Sequence, residues 1–217
     1  AMRSHPLVAA VQDAGSRALA FTCCGSNASE EARRQRAADA GAIVAVVDAL
    51  RAHPQVANVQ DWGSWALTKV CDGDSASAWG RSQQAAEAGA IETVVDALRA
   101  HPHVVYVQQH GCQALARLCQ GTDAAAQARS QRAAVAGALE EVVAAMRAHP
   151  QELYLQMHGC LSLLNVCGGG ASDAAHARRQ RATQAGGRVA AAAAMQAHPD
   201  EDALQRHGQL VLDALPE

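Results

Sequence analysis

Histidine and cysteine side chains, which both bind metal ions in proteins, recur at a fixed interval along this chain. His110, His158 and His207 are separated by 48 and 49 residues, and a cysteine recurs every 48 residues at Cys23, Cys71, Cys119 and Cys167. The ligands of a zinc ion must lie within about 2.3 Å of it, whereas packed helices lie about 8 to 10 Å apart. Equivalent residues of consecutive units therefore cannot share one ion, and we predict no metal site.

Both sets of residues have simpler interpretations. A row of imidazoles that titrate near pH 6.5 would make a binding surface sensitive to pH, but solvated or structural histidines also fit the pattern. Cysteines in alanine-rich, apolar segments behave as small core residues. We predict this core role for the cysteine of each unit.

Catalytic motifs are missing from the sequence. The serines lie mostly in predicted loops, without a histidine and a carboxylate that helical phase would bring to them. Gly168–Gly170 lacks the Lys and the Ser or Thr that follow in a phosphate-binding loop. We expect a protein that is not an enzyme and has no cofactor.

Composition limits the classes of partner. The chain has 18 Lys and Arg against 21 Asp and Glu, a net charge of -3, and so has no overall positive field to attract nucleic acid. It also lacks an apolar run of the roughly 20 residues that a membrane span needs. Seven scattered cysteines favour reduced thiols over a disulfide framework. These features predict a cytoplasmic protein, with the nucleus as the alternative.

The histidines and cysteines belong to a longer internal repeat. His-Pro dipeptides recur at intervals of 48, 48, 48 and 49 residues, and begin at His5, His53, His101, His149 and His198. A glycine column keeps the same interval, at Gly15, Gly63, Gly111, Gly159 and Gly208. A fixed period of this length indicates supersecondary units that bury their apolar faces by stacking on one another.

Each unit is predicted to contain three helices. The first ends near Gly41, and the second carries apolar residues at the spacing of one helical face, Ile43, Val46, Val47 and Leu50. Pro54 is tolerated only in a first turn, so it ends the second helix and precedes the third. A glycine inside every third helix costs about 1 kcal/mol relative to alanine, which predicts that a bulky neighbour packs against it.

Two polar columns complete this interpretation. The histidine of each His-Pro pair is predicted to lie at the negative end of the second-helix dipole. Arg33, Arg81, Arg129 and Arg178 recur on the first helices, with acidic residues nearby, and we interpret them as a solvated outer face.

Two segments, Ala88–Leu98 and Val107–Leu115, resemble the armadillo repeat family, which has an Ala-Gly-Gly-Ile type start of the second helix and a Val-Gln followed by Gly-Cys-x-Ala-Leu in the third. The resemblance covers the whole chain, and is closest to arrays in large multi-repeat proteins such as the armadillo regions of leucine-rich-repeat kinases. It implies an all-α, right-handed superhelical solenoid of three-helix repeats. It also implies a concave groove, lined by the third helices, that binds a segment of a partner.

The period divides the chain into one armadillo solenoid of five parts. Residues 1–24 form a partial repeat with a third helix only, residues 25–72, 73–120 and 121–168 form full repeats, and residues 169–217 form a C-terminal repeat of capping type. The chain begins inside what the alignment of units treats as a second helix, which suggests a fragment of a longer array or an incomplete first repeat.

Helical phase selects the residues of the third helices that face the predicted groove. With Val59, Leu67 and Val70 inward, the opposite side carries Asp61, Trp65 and Thr68. The complete predicted set is Arg17, Phe21, Asp61, Trp62, Trp65, Lys69, His110, Gln113, Arg117, His158, Leu161, Asn165 and His207. Trp62 and Trp65 beside a lysine have the composition of an interface hot spot.

The expected function is therefore that of a non-catalytic scaffold that binds a protein or peptide segment, with subunits of a larger complex among the candidate partners. One alternative is a structural subunit that docks through its ends or its convex face. A second is a receptor for nuclear-localisation peptides, since importin-type armadillo proteins carry a Trp and an Asn four residues later in successive third helices. Here Trp65 is paired with Lys69 and Asn165 with Leu161, so that pair is never complete. The oligomeric state stays open.

Overall fold

The computed structural model describes residues 1–25 and 28–217, with the backbone alone of Ala28. This part of the chain is entirely helical, with thirteen α-helices and one 3-10 helix, Met2–Ser4. The α-helices are α1 (Ala9–Thr22), α2 (Ala28–Asp39), α3 (Ala42–Ala52), α4 (Ala57–Val70), α5 (Ala76–Glu87), α6 (Ala90–Ala100), α7 (Val105–Leu118), α8 (Ala124–Ala136), α9 (Ala138–Ala148), α10 (Leu153–Cys167), α11 (Asp173–Ala185), α12 (Gly187–Ala197) and α13 (Asp202–Ala214). None of the helices described is long and apolar enough to cross a membrane.

Short polar and glycine signals set the helix boundaries. The Ser75 hydroxyl and the Asp123 carboxylate cap the first helices α5 and α8 by accepting hydrogen bonds from backbone N–H groups, at 3.1 and 2.7 Å. Each first helix is followed within two residues by a glycine that adopts positive φ, such as Gly89 at 88°. The chain can therefore turn directly into the second helix, and the predicted order of three helices per unit is confirmed in the described residues.

Equivalent helices of consecutive units pack against one another. The third helices contact in the order α1, α4, α7, α10 and α13, and the second helices α3, α6, α9 and α12 also pack in sequence. The core consists mainly of aliphatic side chains from these two layers, including Ile43, Leu67, Ile91 and Leu115, each at most 1% exposed. This arrangement is compatible with a helical solenoid.

The glycine column of the third helices meets bulky side chains, as the sequence predicts. A Cβ atom on Gly111 would lie 2.5 Å from Cδ2 of Leu98, and one on Gly63 would lie 2.5 Å from Cδ2 of Leu50. A methionine of the preceding second helix, or of the 3-10 helix, takes this place at Gly15, Gly159 and Gly208. Glycine therefore allows the second and third helices to pack closely within a unit.

The His-Pro column connects the units, which the sequence did not predict. His101 is the C-cap residue of α6 and lies just beyond its last turn, and its ring Nε2 lies 2.8 Å from the carbonyl oxygen of Pro54 in the preceding unit. A carbonyl oxygen only accepts, so Nε2 carries the proton and donates it. The same bond joins His53 to Pro6, His149 to Pro102 and His198 to Pro150.

The prediction of a solvated arginine stripe is wrong for Arg81, Arg129 and Arg178, which are only 2 to 3% exposed. Nε of Arg129 donates to the carbonyl of Leu118 at 2.6 Å, and its Nη1 donates to Oε1 of Gln83 in the preceding unit at 3.1 Å. The other two arginines bond in the same way. These guanidinium groups donate hydrogen bonds to carbonyls at the ends of the third helices, which have no partner within the helix. They also connect consecutive first helices.

A column of buried or partly buried glutamines has an equivalent capping role, which was not predicted from the sequence. Nε2 of Gln108 donates to the carbonyls of Leu98 and His101, at 2.8 and 2.9 Å. These carbonyls lie at the C-terminal end of α6 and its cap, where the helix itself supplies no partner. The equivalent glutamines are Gln12, Gln60, Gln156 and Gln205.

Candidate partner-binding surface

The thirteen residues predicted to face the groove all lie on third helices, and none of them is fully buried. Because α1, α4, α7, α10 and α13 pack in sequence, these side chains form one continuous strip, which we call the third-helix surface. The prediction that Thr68 lies on the open side is wrong. Its side chain is only 4% exposed, and its hydroxyl donates a hydrogen bond to the carbonyl of Ser64. Each third helix between two others is covered on both flanks, so the open strip is narrower than helical phase alone indicates.

An aromatic cluster occupies the strip where α1, α4 and α7 meet. The Phe21 ring is edge-on to Trp65, with centroids 5.2 Å apart, and Trp62 lies 5.8 Å from Phe21 and 5.3 Å from Trp65. The His110 ring stacks on Trp65, with centroids 5.6 Å apart. Phe21 is 59% exposed, whereas both tryptophans are half-buried. Three consecutive units thus contribute to one partly open apolar patch.

Two cations lie over the faces of the tryptophans. The guanidinium carbon of Arg17 lies 5.8 Å from the Trp62 centroid, and Nζ of Lys69 lies 5.7 Å from the Trp65 centroid. Both distances are typical of cation–π contacts, which exist because the face of an aromatic ring carries negative potential. The aromatic cluster therefore presents positive charge as well as apolar area.

His110 is fixed by a carboxylate of the neighbouring helix. Its Nδ1 lies 2.5 Å from Oδ1 of Asp61, and both side chains are largely buried. The carboxylate accepts and Nδ1 donates, so the bond holds the imidazole ring in its stacked position on Trp65. This pair belongs to the surface predicted from the sequence, although helical phase did not indicate that the two residues touch.

The second half of the strip contains a cavity of about 280 Å³ between α4, α7 and α10, lined in part by Lys69, Gln113, His158, Leu161 and Asn165. The amide of Asn165 donates to the carbonyl of Ala116 at 2.8 Å.

Arg117 and Asp72 also line this cavity. Nη2 of Arg117 lies 2.7 Å from Oδ1 of Asp72, whose other oxygen lies 3.2 Å from Nη2 of Arg34. The carboxylate at the edge of the cavity is thus held by two guanidinium groups.

The histidines at equivalent positions of the third helices have different charged neighbours. Burial, followed by the charges of His110, Lys69 and His207, lowers the pKa of His158 to about 4. Burial, followed by the charge of Arg206, also lowers the pKa of His207. His158 is therefore neutral at physiological pH. It contributes to the cavity as a neutral polar ring and does not sense pH changes between 5 and 8.

The cysteines lie in the core, as predicted. Cys23, Cys71, Cys119 and Cys167 are at most 2% exposed, and all seven cysteines are free thiols. Burial raises the pKa of Cys71, Cys119 and Cys167 to about 12, so these thiols are neutral and weak nucleophiles. Across residues 1–25 and 28–217, no group of His, Cys, Asp and Glu side chains has the arrangement of a metal site.

Two tyrosines on the same strip were not predicted from the sequence. Tyr106 and Tyr154 are each 63% exposed on α7 and α10, and the Tyr106 ring stacks on His110 at 6.5 Å. Their spacing of 48 residues, and their position four residues before His110 and His158, could have identified them. A third tryptophan, Trp79, is 43% exposed but lies on the first helix α5, outside the third-helix surface.

Comparison of the chain with models of protein families, with curated proteins and with solved structures finds no match.

Proposed function

We propose that this chain is an armadillo-type, non-catalytic scaffold that holds a segment of a partner protein against the third-helix surface, in a concave groove of a right-handed superhelix. The observation that carries the proposal is the aromatic cluster of Phe21, Trp62, Trp65 and His110, contributed by three consecutive units. Trp and Tyr supply a large contact area at a low cost in conformational entropy, and they dominate binding hot spots. The exposed Tyr106 extends the same patch.

The charges on the cluster argue against a receptor for basic nuclear-localisation peptides. Such a peptide would place its lysines over tryptophan faces, but Arg17 and Lys69 of the chain itself already lie over Trp62 and Trp65. A lysine of the peptide would meet like charge at both positions.

A second candidate is a structural subunit that docks through its outer face. Trp79 on α5 and Val135 on α8 support it, because they are 43% and 70% exposed on first helices. They are single apolar residues rather than a cluster, and scattered exposed apolar residues are common on monomeric proteins. We therefore rank this candidate second, and Trp79 serves as its probe.

Selection from a library of random twelve-residue peptides displayed on phage, followed by fluorescence anisotropy with the selected peptides, tests the proposal. We expect Trp65→Ala to weaken binding by more than about 1 kcal/mol, which is about fivefold in Kd. Phe21→Ala should act in the same direction. Because Phe21 is 59% exposed, its replacement leaves the fold nearly unchanged.

Trp79→Ala is the matched control, because it removes an exposed tryptophan from another layer of the molecule. Unchanged affinity in Trp79→Ala, with weaker binding in the two variants of the cluster, supports the third-helix surface. Weaker binding in Trp79→Ala alone supports docking through the outer face and contradicts the proposal.

A further inference from the structure

Two of the four formally charged residues predicted on the third-helix surface, Asp61 and Arg117, are compensated within the chain. Arg117 pairs with Asp72, and Asp61 accepts a hydrogen bond from His110. Arg17 and Lys69 differ from these residues, because neither makes an ion pair within the described part of the chain and each contacts a tryptophan face instead. The surface therefore presents two cations that lack a carboxylate partner.

Lys69 has the better-defined surroundings of the two. Its side chain is only partly exposed, it lies over Trp65, and it lines the cavity of about 280 Å³ between α4, α7 and α10. An ion pair formed over an aromatic ring and inside a cavity is screened less by water than a pair on an open surface. An anion would consequently form a stronger ion pair with Lys69 than with a lysine on an open surface.

The remaining lining of the cavity suits a carboxylate. The side-chain amide of Gln113 has no hydrogen-bond partner among the described residues, so its NH2 group can donate to an anion beside Lys69. The carboxylate of Asp72 would repel an incoming anion if it were free, but Arg117 and Arg34 hold it. With about 280 Å³, the cavity is at the small end of ligand-binding sites, which suits one side chain of a bound segment.

On the basis of the proposed function, we infer that the partner segment is acidic and that one of its Asp or Glu side chains pairs with Lys69 in this cavity, while a neighbouring apolar side chain covers Trp65 and Phe21. Lys69 connects the cavity to the aromatic cluster, because its side chain lines the cavity and lies over the Trp65 ring. Charge complementarity of this kind sets specificity and the rate of association, and it weakens as salt is added.

The test compares the composition of peptides selected by three proteins from the same random twelve-residue library: the unmodified chain, Lys69→Glu and Arg36→Glu. Arg36 is the matched control, because it is an exposed arginine of α2 on another layer and its replacement changes the net charge equally. A Lys69→Met variant keeps an unbranched side chain of nearly the same length and removes the ammonium group. Circular dichroism melting curves establish that each variant is folded.

We expect peptides selected by the unmodified chain to be enriched in Asp and Glu next to an aliphatic or aromatic residue. Lys69→Glu and Lys69→Met should weaken their binding about tenfold or more, and Arg36→Glu by less than about twofold. Peptides selected on Lys69→Glu should lose the acidic enrichment and gain Lys or Arg.

Two other outcomes separate this inference from the proposed function. Peptides that require Phe21 and Trp65 but show no acidic enrichment, or that bind Lys69→Met unchanged, overturn the acidic partner and leave groove binding intact. Peptides that bind Phe21→Ala, Trp65→Ala and Lys69→Met as tightly as the unmodified chain overturn both.

Discussion

The ring Nε2 of His101 lies 2.8 Å from the carbonyl oxygen of Pro54, which precedes it by 47 residues. This hydrogen bond joins the end of one second helix to the end of the next and recurs at each pair of units. The His-Pro dipeptide therefore forms a contact between consecutive units.

We expect His101→Ala to lower the free energy of unfolding by about 1 kcal/mol, because one hydrogen bond is lost and a partly buried carbonyl loses its donor. Urea unfolding monitored by circular dichroism measures the change. His103→Ala is the control, since His103 lies two residues away and is exposed. Equal midpoints for both variants would show that the hydrogen bond contributes nothing to stability.

Two glycines should respond to alanine with opposite signs. Gly111→Ala places a Cβ atom 2.5 Å from Cδ2 of the fully buried Leu98, so we expect a loss of about 1 to 3 kcal/mol. Gly80 lies inside α5, and a Cβ atom there meets nothing within 4 Å, so Gly80→Ala should stabilise the chain by up to about 1 kcal/mol. Thermal unfolding distinguishes the signs, and stabilisation by both changes would contradict close packing at Gly111.

Stability should decrease as the pH falls from about 6.5 to about 4, in part because of His158. Its pKa is lowered from 6.5 to about 4 in the fold, chiefly by burial, so the unfolded chain takes up a proton in this range before the folded chain does. His158→Gln should make the decline shallower, whereas His103→Gln should not. Unfolding free energies measured between pH 4 and pH 8 would contradict the account if the slope were the same in all three proteins.

Thiol labelling should separate one cysteine from the others. Burial raises the pKa of Cys71, Cys112, Cys119, Cys160 and Cys167 to about 12, while Cys24 is partly exposed. At pH 8, iodoacetamide should modify the native chain at Cys24, and the denatured chain at all seven cysteines. Mass spectrometry counts the adducts, and Cys24→Ser should leave the native chain unmodified. Several adducts on the native chain would show that the core opens readily.

Much of the helical organisation follows from periodicity within a unit. The 48-residue interval and the i, i+3, i+4 and i+7 pattern locate three helices per unit and the inward face, including Ile43, Leu50 and Leu67. They also place Trp62, Trp65 and Lys69 on a partly open side.

Contacts between units were harder to predict, because they depend on how far each unit is rotated relative to the next. Arg129 has the composition of a solvated stripe, yet it is buried against carbonyls and Gln83. Helical phase predicts Thr68 on the open side of α4, but its side chain is only 4% exposed and bonds to the carbonyl of Ser64 in the same helix. The stacking of His110 on Trp65 also depends on this rotation, since the two residues are on different units.

Tryptophan fluorescence tests binding at the third-helix surface most directly, because the chain has three tryptophans and only Trp62 and Trp65 lie on that surface. The variant Trp79→Phe reports from the aromatic cluster, and the double variant Trp62→Phe with Trp65→Phe reports from α5. On titration with a selected peptide, we expect the emission of Trp79→Phe to shift to shorter wavelength as the cluster is covered. The emission of the double variant should stay constant at peptide concentrations at which fluorescence anisotropy shows that it is bound. A shift in the double variant with none in Trp79→Phe would contradict the account.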